Sequence, residues 1–161
     1  MTYAPAVDLA AVPGAGDPAP DFTLPDTHGT PVHLGDLRGE PVLVVFYPFA
    51  FSRVCTGELC ELRDNAEDFE SAGVRLLAVS TDPVFTLKAW QRQEGFGFDL
   101  LSDFWPHGDV ARAYGVFDEA TGHAQRGTFL VDADGVVRWS VVSPRGQARD
   151  LQAYREAVAR L

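Results

Sequence analysis

The chain holds only two cysteines, and both stand in one short stretch, Pro48-Phe-Ala-Phe-Ser-Arg-Val-Cys-Thr-Gly-Glu-Leu-Cys60. A cysteine acts as a nucleophile through its thiolate, and an anion is favoured where positive charge or unpaired N–H groups surround the sulfur. Four residues separate Cys55 from Cys60, which fits neither a Cys-x-x-Cys redox pair nor a zinc knuckle. Two cysteines cannot build a four-cysteine zinc site, and His28, His33, His107 and His123 stand far from them without ligand-like spacing. No metal and no cofactor are therefore expected. His28, His33 and His123 read as solvent-facing loop or strand-end residues.

The elements that would position Cys55 follow from apolar patterning. Residues 41–47 form a continuous apolar, β-branched run bounded by Gly39 and Pro48, the pattern of a strand buried on both faces. From Thr56 to about Ser71 the apolar residues recur at helical steps (Leu59, Leu62, Ala66, Phe69), and Gly73 follows as a stop. Cys55 thus stands between the end of a buried strand and the start of a helix, where unpaired N–H groups and the helix dipole favour an anion. Ser52 stands three residues before it, as an N-cap or as a group able to touch a substrate oxygen. Pro48, Phe49 and Phe51 would shield such a pocket.

The rest of the chain alternates. Residues 21–24 and 32–34 read as a hairpin, 74–80 as a second buried strand, and 83–93 as a helix with Asp82 as N-cap. Residues 99–102 read as a short strand and 108–114 as a short helix ended by Gly115. Residues 128–131 and 136–142 read as strands joined by an Asp-Gly turn, and 147–161 as a closing helix. This order predicts an α/β fold with a mixed central sheet, helices on both faces and an N-terminal β-hairpin, a three-layer thioredoxin-like arrangement.

The 161 residues are one domain's worth, and the 46% hydrophobic fraction supplies a core. With 13 Lys+Arg against 23 Asp+Glu, net charge −10, and no basic block, nucleic acid is not an expected partner. No apolar run approaches the roughly 18–20 residues that span a bilayer. Residues 1–16, rich in Ala, Pro and Gly, lack the features of a secretory signal and read as a flexible tail before a domain over 17–161. A cytoplasmic protein is expected, and there a cysteine pair is more often catalytic than a standing disulfide.

The stretch Pro48-x-x-x-Ser52-x-x-Cys55 resembles the active-site signature of the peroxiredoxins, Pro-x-x-x-Thr/Ser-x-x-Cys. Four further blocks are similar to that family in the same order: Ala19-Pro-Asp-Phe-Thr-Leu24, Ala78-Val-Ser-Thr-Asp82, Leu101-Ser-Asp103 with Ala113-Tyr-Gly-Val116, and Arg126-Gly-Thr-Phe-Leu-Val-Asp132. Together they cover roughly residues 17–161. Leu101-Ser-Asp-Phe-Trp-Pro-His-Gly108 and the phenylalanine-rich loop resemble the AhpE type, while Cys55-Thr-Gly-Glu-Leu-Cys60 resembles the PrxQ type (bacterioferritin comigratory protein).

The resemblance implies a thiol-dependent peroxidase for hydrogen peroxide and organic hydroperoxides. It implies Cys55 as peroxidatic thiol, Cys60 as resolving thiol, and Ser52, Arg126 and Pro48 as catalytic neighbours. Phe49, Phe51, Val54, Glu58 and Trp105 would line the substrate pocket, with Glu58 orienting Arg126 or another polar group. A thioredoxin or a glutaredoxin- or mycoredoxin-like protein would be the reductant, and a homodimer is implied. In an unbroken helix, residues five apart have Cα atoms roughly 8–9 Å apart and point about 140° from each other. A disulfide needs Cα atoms under about 7 Å. A Cys55–Cys60 bond therefore requires the first turns to unwind, and Gly57 weakens them. Three other readings stay open: Cys60 as an inert core thiol, the chain as a redox sensor, and the chain as a disulfide oxidoreductase acting on partner proteins.

Overall fold

The computed structural model describes residues 8–144 and 146–161. Two short strands, β1 (Thr23–Pro25) and β2 (Pro31–His33), form the expected antiparallel hairpin. The Asp26 carboxylate closes its turn by accepting from the His28 and Thr30 N–H groups. Then follow β3 (Val42–Phe46), α1 (Arg53–Asp64), α2 (Ala66–Ser71), β4 (Arg75–Ser80), α3 (Val84–Glu94), β5 (Asp99–Ser102) and α4 (Asp109–Ala113). The chain ends with β6 (Phe117–Asp118), β7 (His123–Ala124), β8 (Arg126–Val131), β9 (Val137–Ser143) and α5 (Leu151–Ala159).

The main sheet has the order β5-β4-β3-β8-β9. Its β3, β4 and β5 are parallel, whereas β8 and β9 are antiparallel to their neighbours. Every residue of β3 and of β8 is buried, as expected for strands covered on both faces. Alternate residues feed two cores. Leu43, Val45 and Leu130 meet Leu59 and Leu62 of α1, Phe69 of α2, Leu87 and Trp90 of α3, and Leu151 and Tyr154 of α5. Val42, Val44, Phe129 and Val131 face the other way, onto Leu24 of the hairpin and Val110 and Ala111 of α4. The result is the three-layer, mixed-sheet, thioredoxin-like architecture expected from the element order.

Several boundaries differ from the sequence reading, each for a local reason. The single helix expected over 56–71 begins earlier, at Arg53, and is interrupted at Asn65. The Asn65 side-chain amide donates to the Glu61 carbonyl, which draws the backbone out of helical geometry. The closing helix starts at Leu151 with Asp150 as its cap rather than near Gln147. The tiny β6–β7 hairpin carries too few residues to show a period. Buried at 2% exposure, His123 lies within it and does not face solvent. Of the Ala-, Pro- and Gly-rich start, residues 1–7 lie outside the described residues. Leu9–Ala11 form a 3-10 turn, Gly16 N–H bonds Val137 O, and Val12 packs on the second core.

Asp82 does not cap α3; Pro83 holds that position. The Asp82 carboxylate instead accepts from Ala50 N–H at 2.8 Å and from Ser80 Oγ at 2.7 Å. It thereby ties the loop after β3 to the end of β4. Asp82→Ala is expected to lower stability by about 1–3 kcal/mol, the range for an orphaned buried donor. It should also speed amide exchange at Ala50, read by hydrogen–deuterium exchange; unchanged protection there would mean that the loop is held by other contacts.

Candidate active site

The chain leaves β3 at Phe46, passes the buried Pro48, and turns into α1 through Phe51. Phe51 has φ of 66°, in the left-handed region that a bulky residue rarely adopts. That conformation costs about 1–3 kcal/mol and is sustained by its surroundings. Ser52 is the N-cap, yet its hydroxyl makes no cap bond; it donates to Phe49 O at 3.0 Å. The Ser52 side chain therefore leaves the first N–H groups of α1 uncapped. Cys55 is the third residue of α1, inside the helix rather than one residue before it, and is fully buried.

Across from it stands Arg126, the first residue of β8. Thr128 pairs with Val45, so the same register brings Arg126 beside the chain just beyond β3. Arg126 shares a sheet face with Thr128, the face that α1 covers. Arg126 is 4% exposed, and its Nη1 donates to Cys55 Sγ at 3.3 Å and to Glu58 Oε1. Among the described residues, Arg126 Nε is a buried donor without a partner.

Glu58, one turn along α1, is shared with a second arginine that the sequence reading missed. Arg149 donates its backbone N–H to Glu58 Oε2 at 2.7 Å, its Nε to the same oxygen at 2.9 Å and its Nη2 to Oε1 at 3.1 Å. Its Nη1 bonds Phe46 O at 2.6 Å and Gly127 O at 3.0 Å, binding β3 to β8. Read as part of a closing helix, Arg149 would fall in a first turn, where a positive charge opposes the dipole. That misfit was the available signal. The chain around Arg149 is irregular instead, which lets backbone and side chain both turn inward.

Burial works to raise the Glu58 carboxyl, but the Arg149 hydrogen bonds and charge, with the charge of Arg126, hold it below its ordinary value. Cys60 points away from this cluster. Its thiol donates to Glu94 Oε2 at 3.4 Å on α3, and both cysteines are free thiols. Burial and the Glu94 hydrogen bond push the Cys60 thiol above its ordinary value.

The aromatic residues separate into two places. Phe49 and Phe51 are half-exposed on the loop before α1, with Phe49 edge-on to His123 at 4.8 Å and Phe51 6.2 Å from Trp90. Val54 is half-buried in the first turn of α1. Trp105 is 80% exposed on the β5–α4 loop, over a groove lined by Asp21, Phe22 and Asp103. That groove adjoins the second core, on the sheet face opposite Cys55, so one chain does not bring Trp105 to Cys55.

Removing the Glu58 charge leaves two buried guanidinium groups short of a counter-ion. Glu58→Gln is expected to cost about 3–5 kcal/mol. Because the folded carboxyl is held low, its contribution is present above the unfolded value and is lost as pH falls through the folded one. Urea unfolding followed from neutral pH to roughly pH 3 should show that loss in the wild type and a smaller one in the variant. Equal acid sensitivity of the two proteins would contradict it.

The family model described as AhpC/TSA matches residues 15–140. Alkyl hydroperoxide reductase E of Mycobacterium tuberculosis is 48% identical over 147 residues, covering 91% of this chain and 96% of that protein. Peroxiredoxin Bcp of Escherichia coli is 42% identical over 129 residues, covering 76% of this chain and 81% of that protein. Among solved structures, peroxidoxin BcpB of Mycobacterium tuberculosis superposes with a TM-score of 0.81 at 35% identity, covering 91% of this chain and 95% of that one. Enterococcus faecalis AhpC gives a TM-score of 0.84 at 27% identity, with 92% of each chain covered. Matched over most of its length by the family model and by these relatives, the chain belongs to the AhpC/TSA family of peroxiredoxins.

Proposed function

We propose that Cys55 attacks the peroxide and that Cys60 then resolves the oxidised product. As a peroxiredoxin the chain is a thiol peroxidase, consuming a peroxide and a thiol reductant. The observation that carries the assignment to Cys55 is its place near the start of the 12-residue α1 with Arg126 Nη1 at 3.3 Å from its sulfur. The second donor of that guanidinium, Nε, is buried and unengaged among the described residues, ready for a ligand oxygen.

In the proposed step the Cys55 thiolate attacks the nearer peroxide oxygen. The O–O bond breaks, Cys55 becomes a sulfenic acid, and the other oxygen leaves as alkoxide or hydroxide and takes up a proton. Arg126 Nε and the N–H groups at the α1 start are suited to hold the peroxide and the charge that develops on it. Ser52 has its hydroxyl proton engaged on Phe49 O, so its lone pairs are free to accept from the peroxide O–H. Pro48 is buried at the start of the loop. The half-exposed Phe49 and Phe51, with Val54, favour an apolar organic hydroperoxide beside hydrogen peroxide itself. Glu58 acts through Arg126, whose guanidinium it anchors.

The second step joins Cys55 to Cys60. The S–O bond breaks, an S–S bond forms, and the hydroxyl leaves as water with the Cys60 proton. Helix geometry keeps the two thiols apart, so α1 must open first. A thioredoxin-, glutaredoxin- or mycoredoxin-like protein then reduces the disulfide, in a reducing cytoplasm. No helix among the described residues is long and apolar enough to cross a membrane. A homodimer contact would use the exposed Phe49, Phe51 and Trp105.

Cys55→Ser is expected to abolish peroxide consumption. Cys60→Ser should complete the first oxidation and stall when thioredoxin is the only reductant. After near-stoichiometric peroxide, the wild-type mass should fall by the thiol hydrogens; overoxidised Cys55 beside a free Cys60 would sink the resolving role. Gly57 tests the opening itself. A methyl group there meets nothing within 4 Å, so Gly57→Ala fits and strengthens α1 by about 1 kcal/mol. Disulfide formation, followed by rapid quench and mass analysis, should slow about fivefold, with more sulfinic acid at high peroxide. An unchanged rate would mean that unwinding does not limit the step.

A further inference from the structure

Cys60 is restrained as well as distant. It lies in the second half of α1, half-buried against the first core, and its thiol donates to Glu94 Oε2 at 3.4 Å. Glu94 is the last residue of α3. A carboxylate at a helix C-terminus faces the negative end of the dipole and is disfavoured there unless other groups hold it. Here two do. Arg63 Nη1, which donates to the Glu94 backbone O at 2.5 Å, stands 3.9 Å from the carboxylate Oε2, and Gln93 Nε2 donates to Oε1 at 3.3 Å. The Glu94 side chain is 21% exposed, so these contacts are partly shielded from water.

We infer that Glu94 is a latch on the resolving thiol, a positioning residue that keeps Cys60 docked on α3 until α1 opens. The inference rests on the reading of Cys60 as the resolving cysteine. The charged groups around Cys60 are Glu94 from α3 and Arg63 and Asp64 from α1. Glu94 and Asp64 oppose a thiolate at Cys60, and Arg63 favours one. Burial and the Glu94 hydrogen bond prevail, so the thiol is held above its ordinary value. Two consequences follow for turnover. The docked Cys60 is a poor nucleophile toward outside oxidants, which spares it from oxidation. Once α1 unwinds and Cys60 leaves Glu94, the carboxylate's repulsion is gone and thiolate forms more readily, at the moment it is needed to attack the Cys55 sulfenic acid.

The test uses Glu94→Gln, which keeps the side-chain size and an acceptor oxygen but removes the charge. In a Cys55→Ser background, the iodoacetamide alkylation rate of Cys60 is measured against pH. The midpoint should move down by roughly half to one pH unit, and the rate at neutral pH should rise about three- to tenfold. Glu67→Gln, which removes an exposed charge on α2, serves as control and should leave the profile in place. In chains that retain Cys55, Glu94→Gln should also shorten the lifetime of the sulfenic acid before disulfide forms. A profile unmoved by Glu94→Gln, or moved equally by Glu67→Gln, would overturn the latch. A moved profile with no disulfide in either protein would overturn Cys60 as resolving thiol, and with it the part of the latch in turnover.

Discussion

Glu58 is a buried carboxylate shared by two buried guanidinium groups, and the arrangement around Cys55 depends on it. Side chains of Glu58 and Arg126 are each 5% exposed and that of Arg149 is 2% exposed. Charges so far from water persist only when each finds a partner of opposite sign and its donors find acceptors. One carboxylate against two guanidiniums leaves a positive charge uncompensated, and Arg126 carries it to within 3.3 Å of Cys55 Sγ. The cluster also determines how the chain can fold, because Glu58 comes from α1, Arg126 from β8, and Arg149 from the segment before α5. None of the three can be satisfied until the others are in place. Arg149 extends the constraint into the sheet through the carbonyls of Phe46 and Gly127.

How much of this was legible in the sequence follows from how local each feature is. The strands β3 and β4 and the two-sided burial of the sheet are written as apolar runs, and the hairpin turns as Asp and Gly. The segment from Pro48 to Cys60 carries its signature within one stretch, whereas Arg126 came from the family resemblance, since the strand pattern itself begins only at Thr128 and the structure extends it back to Arg126. Arg149 was not legible, since its meaning lies in a carboxylate 91 residues away. Asp82 shows a subtler failure: an acidic residue before a Pro-initiated helix has a ready local use as a cap, and the structure spends it on a long-range bond to Ala50 instead. The same holds for Asn65, where a side chain competing for the Glu61 carbonyl divides a helix whose apolar period runs on undisturbed. Trp105 was grouped with the pocket through family resemblance, yet within one chain it lies over a groove on the other face of the sheet.

The proposed cycle sets two demands on α1 that conflict. For the first step the helix must be intact, since its unpaired N–H groups and Arg126 act on Cys55 only in that geometry. For the second it must open between Cys55 and Cys60. Glu58 lies inside that interval, so the salt bridges that assemble the site also resist its opening. Oxidation itself tips this balance. In the proposed cycle the attacking thiolate is a counter-ion for Arg126, whereas the neutral sulfenic acid it becomes is not, so one attraction that pins the helix start is lost. The added oxygen enters a site where Cys55 is already fully buried. Overpacking of a tight interior costs typically 1–3 kcal/mol, comparable with the roughly 1 kcal/mol by which Gly57 weakens the same helix. In the proposed cycle the first chemical step thus removes one of the interactions that hold the reduced helix closed, while the Glu58–Arg149 bonds remain to be broken by the opening itself.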